Sequence, residues 1–304
     1  MFGLTSLVLG ATTPVGAGSE ETKRSVPKYD QVSAEARKAL DPYVSGAQII
    51  DIQIKEAHGV VATTVIYVRQ GKIHEIAYNE STHKIAAGDE PAVIEKVISV
   101  LPESAQRIVR EGGQTLYKIK VKHDEKDDHE YIHVHYLADD GEILNRKLEL
   151  DGSDKNQGET PSQETERVIS EYSQVSAEAR KAFDPHVAGA QICGIVQAAA
   201  HGVVETAVTY LRDGKVHEIV YDETTAKLLG GSEPGAIEQV ISVLPESGQS
   251  AVRKKGQTIY KIKIKHDERD DREYVHVNYV DDNGMLTNSK LELDGHKKGK
   301  QAAA

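Results

Sequence analysis

Thr115-Leu-Tyr-Lys-Ile-Lys-Val-Lys122 alternates apolar and basic residues from Tyr117 onward, and it returns 143 residues later as Thr258-Ile-Tyr-Lys-Ile-Lys-Ile-Lys265. Period-two alternation marks a strand with one face buried and the other wet. Lys118, Lys120 and Lys122 then share one face, as do Lys261, Lys263 and Lys265, and Tyr117, Ile119 and Val121 are expected to face a helical layer. A hairpin partner follows, Tyr131-Ile-His-Val-His-Tyr-Leu137, and the Asp140-Gly141 turn leads on to Ile143-Leu144 and a strand around Lys147-Leu-Glu-Leu150. Two lysine rows on two matching hairpins set the frame for the rest of the chain.

The same offset runs through everything else. Gln31-Val-Ser-Ala-Glu-Ala-Arg-Lys-Ala39 recurs at Gln174–Ala182, and Ile98-Ser-Val-Leu-Pro-Glu-Ser104 at Ile241–Ser247, with no insertion. A whole domain has been duplicated, so residues 27–152 and 170–295 are read as two units. Residues 1–26 read as a leader and disordered arm, 153–169 as a polar linker and 296–304 as a basic tail. The second copy also serves as a comparison: a residue that changes between copies does not perform one essential task in both.

Upstream of the lysine strand, each unit opens with Ser33-Ala-Glu-Ala-Arg-Lys-Ala-Leu40, where Ser33 can cap a short helix that Asp41-Pro42 is expected to end. Gln48–Ile54 and Ala62–Val68 read as strands, and Gln70-Gly71 as a tight hairpin turn into Lys72–Tyr78. Pro91 suits the first position of a helix over Ala92–Val100, and Glu103–Arg110 makes another, stopped by Gly112-Gly113. Helices preceding antiparallel strands predict an α+β class: a tandem repeat of two units, each with helices packed on one face of its own antiparallel sheet.

Tyr67-Val-Arg-Gln-Gly-Lys-Ile-His-Glu-Ile-Ala-Tyr-Asn-Glu-Ser-Thr-His-Lys-Ile85, its copy Tyr210–Leu228, the Leu101-Pro-Glu helix start and the Asp139-Asp-Gly-Glu-Ile-Leu144 turn together resemble the PepSY module and the related β-lactamase-inhibitor-protein-like group. The resemblance spans roughly residues 29–295 as two tandem units of two degenerate modules each. It implies an exported, non-enzymatic domain that binds or restrains proteases or senses at the cell envelope. No site residue carries over.

Composition sets limits. The formal net charge is -11 and the pI near 5.6, which argues against nucleic acid or an anionic membrane as the main partner. No run of 18 apolar residues occurs, so no transmembrane segment is expected. Phe2–Gly10 is short and apolar and precedes small residues, the pattern of an export signal that lacks its basic start. The one cysteine, Cys193, replaces Ile50 of the first copy and is read as a small hydrophobe.

Three groups of residues could carry chemistry. The lysine rows could steer an acidic partner; lysines on an exposed strand also keep it from pairing with other chains. His133 and His135 share a face and could chelate Zn²⁺ or Cu²⁺, yet the second copy has His276 and Asn278. The acidic tips His123–Asp128 and His266–Asp271 lack the spacing of a calcium loop. His58 and His74, with copies His201 and His217, have no nucleophile at motif spacing, and no glycine-rich phosphate loop or serine elbow occurs. The expectation is therefore a non-enzymatic binding protein of the cell envelope or secreted space, without cofactor or catalytic residues, acting as an inhibitor or regulator of a protein partner such as a protease or other hydrolase through an exposed sheet face and hairpin tips. The alternative is a metal or ligand sensor built on the strand histidines and acidic loops.

Overall fold

A computed structural model describes residues 22–57, 59–111, 114–124, 129–153, 155, 165–200, 202–253, 257–267 and 272–296. The first half runs β1 (Thr22–Ser25), a 3-10 turn (Tyr29–Gln31), α1 (Ala34–Val44), β2 (Gln48–Ala57), β3 (Val60–Arg69), β4 (Lys72–Asn79), β5 (Lys84–Gly88), α2 (Pro91–Ser99), α3 (Glu103–Arg110), β6 (Thr115–Asp124), β7 (His129–Leu137) and β8 (Glu142–Glu149). The second half repeats this order with β9 (Thr165–Val168), α4 (Ala177–Val187), β10 (Gln191–Ala200), β11 (Val203–Arg212), β12 (Lys215–Asp222), β13 (Lys227–Gly231), α5 (Pro234–Ser242), α6 (Glu246–Val252), β14 (Thr258–Asp267), β15 (Arg272–Val280) and β16 (Met285–Glu292).

These sixteen strands do not form two sheets. Each is antiparallel to its neighbours in a single closed barrel, which corrects the expected α+β pair of units, each with its own sheet. The closure is made at two seams. β1 pairs with β2 of its own half and with β16 of the other, with Lys23 opposite Leu286. β9 likewise joins β8 to β10, with Ile143 opposite Glu166 and Ala198 opposite Glu166. Both staples lie where the sequence reads as a disordered arm and a solvated linker. Their sequences, Thr-Lys-Arg-Ser and Thr-Glu-Arg-Val, are short and polar, so periodicity cannot find them. They are strands because two bare sheet edges flank each of them and satisfy their backbone groups.

The helices coat the outside. α1, α2 and α3 bury Leu40, Val93, Val97, Ile98, Ala105 and Val109 against Val65, Tyr67, Ile76, Ile119, Ile132, Val134 and Leu148 of the sheet. The second half buries its own helices in the same way, and no buried core cluster mixes residues of the two halves. The opposite, lysine-bearing faces therefore turn inward. A circular ring of sixteen strands would be roughly 30 Å across. Here β4 and β10, and β2 and β12, come within 8 Å Cα to Cα across the interior. At one end Gln191 donates from Nε2 to the Gly71 carbonyl at 3.2 Å. The barrel is flattened, with the inner faces of the halves opposed.

Local features follow from residue chemistry. Gln70 and Gly71 both have positive φ, +52° and +79°, the type I′ geometry that matches strand twist across a two-residue turn. The Ser33 hydroxyl accepts from Ala36 N and starts α1 as expected. Asp41-Pro42 does not end that helix, which continues through Pro42 to Val44. Its last turn is held from outside: the Arg69 guanidinium donates to the Tyr43 and Ser45 carbonyls, and the Tyr29 hydroxyl donates to Asp41. The strand alternation around Tyr117 also breaks. The β6–β7 register shifts between Leu116 and Lys118, so Tyr117 is the extra residue of a bulge and stands 37% exposed instead of facing the helices.

Residues 1–21 of the expected leader and arm (1–26), the linker stretch 156–164, the tail 297–304, Gly112-Gly113, His58, His201 and the acidic tips at 125–128 and 268–271 lie outside the described residues.

Candidate functional site

The inner face of β6, β7 and β8 gathers the chain's polar chemistry. The pairing sets Lys118 opposite His135, Lys120 opposite His133 and Lys122 opposite Tyr131. Across the next ladder His133 faces Lys147 and His135 faces Asn145. All of them share one side because facing residues of antiparallel strands point the same way. On the other flank Lys120 is opposite Ala87 of β5, and Ala87 opposite Ala77 of β4. Two residues before Ala77, Glu75 reaches the lysines, with Oε2 2.8 Å from Lys118 Nζ and Oε1 2.9 Å from Lys120 Nζ.

This cluster is half-buried, and its electrostatics show it. Burial alone would raise the Glu75 carboxyl, but the charges and hydrogen bonds of Lys118 and Lys120 outweigh burial and hold it at about 2. Burial, followed by the charges of Lys120, Lys147 and Lys118, pushes the Lys122 ammonium down. Burial and the neighbouring positive charges hold both His133 and His135 at about 4, so the rings are neutral at pH 7. Their centroids lie 4.4 Å apart, and His133 Nδ1 is buried without a hydrogen-bond partner. Among the described residues no group of three or more His, Cys, Asp or Glu side chains is arranged to hold a metal ion. Lysines surround the histidine pair, and a cation would meet repulsion there.

The second half repeats the row with a different counter-charge. Lys261 pairs with Glu218 at 2.9 Å and Lys263 with Glu205 at 2.7 Å. Burial and the charges of Lys263 and Lys261 lower the Lys265 ammonium. Lys290 Nζ lies 4.2 Å above the Tyr274 ring, as Lys155 Nζ lies 4.6 Å above Tyr131. Burial and then the charges of Asp51 and Glu218 push Tyr260 to about 12, and Tyr117 is raised in the same way with Asp89 and Glu166 contributing. Thus all six lysines singled out in the sequence lie on the inner wall.

Sequence reasoning missed the acids. Glu75 and Glu218 stand at the same offset in both copies, and that was the signal available. It also missed a duplicated buried brace. The Tyr67 hydroxyl donates to Glu90 at 2.7 Å, Arg69 Nη1 donates to the same carboxylate at 2.9 Å, and His74 Nδ1 lies 3.2 Å from Asp89. Tyr210, Arg212 and Glu233 repeat it, with both contacts to Glu233 at 2.6 Å. This brace ties the end of α1 to the start of α2 and is structural in geometry. Cys193 occupies a β10 bulge, donates its thiol to the Gln191 carbonyl, and is raised by burial, which disfavours a reactive thiolate.

Two cavities lie in the first half. One, about 610 Å³, is an outer groove between α1, β5 and α2 where His83 already pairs with Glu35 at 3.0 Å. The other, about 560 Å³, reaches Glu75, Lys120 and Lys122 on the inner wall. The chain matches no protein-family model and no curated protein. No helix among the described residues is long and apolar enough to cross a membrane.

Proposed function

We propose that this chain is a non-enzymatic binding protein that holds an anionic ligand inside its barrel on the lysines of β6 and β8. The observation that carries this reading is the placement of charge. A chain of net charge -11 directs Lys118, Lys120, Lys122 and Lys147 at its own interior. Among the described residues Lys122 and Lys147, both half-buried, have no carboxylate partner. Half-buried ammonium groups cost free energy unless something compensates them. A bound anion compensates them and gains from the reduced local dielectric.

This reading revises how the lysine rows act. An open sheet face could lie against a folded protein; an enclosed one admits a ligand small enough to enter. Non-enzymatic binding is supported by the histidine pair, held neutral with no carboxylate at hydrogen-bond distance among the described residues, and by the raised thiol of Cys193.

Calorimetric titration with acetate, inorganic phosphate and dodecanoate at low salt tests the proposal. At least one of them is expected to bind, more weakly as salt rises. Lys122→Met with Lys147→Met is expected to reduce its affinity about tenfold or more, as loss of about 1.4 kcal/mol would. Silence with all three anions, or equal affinity in the double variant, overturns the reading.

A further inference from the structure

Resting on that reading, we infer that the first-half cavity is a site for an amphiphilic carboxylate, an acyl chain with one anionic head, and that Glu205 occupies the equivalent place in the second half as a built-in head group.

The wall of the barrel parts at this point. β5 and β6 pair only through Ala87 with Lys120 and Gly88 with Ile119. Beyond that pair the cavity of about 560 Å³ runs from Ala62, Lys120 and Lys122 on the inner side to Ile85, Leu101 and Leu150 on the helix side. The inner end carries Lys120 and Lys122 with Glu75 and Glu130 among them, Glu75 being taken up by Lys118 and Lys120, and the other end is apolar, which is the lining an amphiphilic anion needs.

The duplication says what is missing. In the second half Glu205 replaces Ala62, and its carboxylate sits 2.7 Å from Lys263, the counterpart of Lys120. Glu218 is then left to Lys261. In the first half Glu75 must serve both Lys118 and Lys120, one oxygen each. The first half is one carboxylate short, at the position where the cavity opens. The apolar volume is filled in parallel. Val220 replaces Ala77 and is 1% exposed, and the buried Leu229 replaces Ala86. The same scaffold thus exists in a self-filled form and an open form, and the filling consists of a carboxylate beside aliphatic carbon.

Dodecanoate is the probe, with hexanoate, acetate and neutral dodecanol as controls. One equivalent of dodecanoate is expected to bind, stronger than hexanoate by roughly three- to fourfold per buried methylene and at least tenfold more tightly than dodecanol. Ala62→Glu, which installs what the second half already tolerates, is expected to weaken binding tenfold or more without lowering the melting temperature. Glu205→Ala with Val220→Ala and Leu229→Ala is expected to raise the stoichiometry from one to two. A folded Ala62→Glu variant that binds as the native chain does overturns the inference; should that variant not fold, a triple variant that remains at one equivalent overturns it. Loss of binding in the Lys122/Lys147 variant but not in Ala62→Glu would leave anion binding standing and remove only this site. Silence with every anion removes both.

Discussion

A chain that begins at Val26 is expected to melt about 10 °C lower than the full chain and to self-associate. The deletion removes β1, four residues that pair with β2 on one side and β16 on the other. Each backbone hydrogen bond contributes about 1 kcal/mol net, so loss of a strand bonded on both sides costs about 4 kcal/mol, and for a chain of this size a kilocalorie moves the melting temperature by about 2–4 °C. Val26 stays, 6% exposed with its N–H donating to Ile52 O at 2.8 Å, so the α1 core is not what is lost. What is lost is closure. The long edges of β2 and β16 become bare, and unpaired edges template association. Thermal melts and size-exclusion chromatography check this; a truncated chain that melts as the full one does and stays monomeric would mean that β1 closes nothing.

Acid is expected to destabilise the protein in two stages, the first belonging to one histidine pair. His133 and His135 titrate at about 4 in the folded chain against 6.5 unfolded. Between those values the unfolded chain binds more protons, so stability falls as pH drops from 6.5 to 4. A tenfold difference in proton affinity between the folded and unfolded chain corresponds to about 1.4 kcal/mol, and after discounting for partial solvent access the pair amounts to about 3 kcal/mol. Glu75, at about 2 against 4.5, contributes stability that is full above pH 4.5 and lost as pH falls toward 2. Lys118, Lys120, Lys122 and Lys147 are the charges that face these groups. His133→Asn with His135→Asn, the second change copying Asn278, is expected to flatten the loss between pH 6.5 and 4 and to leave the loss below 4.5 intact. Urea midpoints at pH 7, 5.5, 4.5 and 3 read the difference. Parallel curves for the two proteins would show that the pair is not held neutral by its surroundings.

Much of the secondary structure was legible because it is written in local chemistry: the alternation of Thr115–Lys122, the Gln70-Gly71 turn and Ser33 at a helix start. Barrel closure was not, because β1 and β9 carry no apolar periodicity and take their structure from the edges they join. β5 and β13, Lys-Ile-Ala-Ala-Gly and Lys-Leu-Leu-Gly-Gly, are too short and too rich in small residues to read as strands. Pro42 misled because its helix end is supported by Arg69, distant in sequence, and Tyr117 because a bulge shifts the phase of its strand. Of the site, the lysine rows were visible as rows, and their direction was not. An alternating strand states that it has two faces, and only closure decides which face meets solvent. The Ala62-to-Glu205 change lay in plain view in the duplication, yet it acquires meaning only once Lys120 and Lys263 are placed beside it.

Closure with the lysine faces inward is the central claim, and its two seams can be read by disulfide capture. In a Cys193→Ser background, Lys23→Cys with Leu286→Cys and, separately, Ile143→Cys with Glu166→Cys place thiols at facing positions of adjacent strands, where Cα separations of about 4.5–5.5 Å permit a disulfide. Under mild oxidation of the native monomer both pairs are expected to close within the chain, giving a faster-migrating species on a non-reducing gel. Thiols that stay free at both seams while the protein remains folded would contradict the barrel and leave two separate sheets.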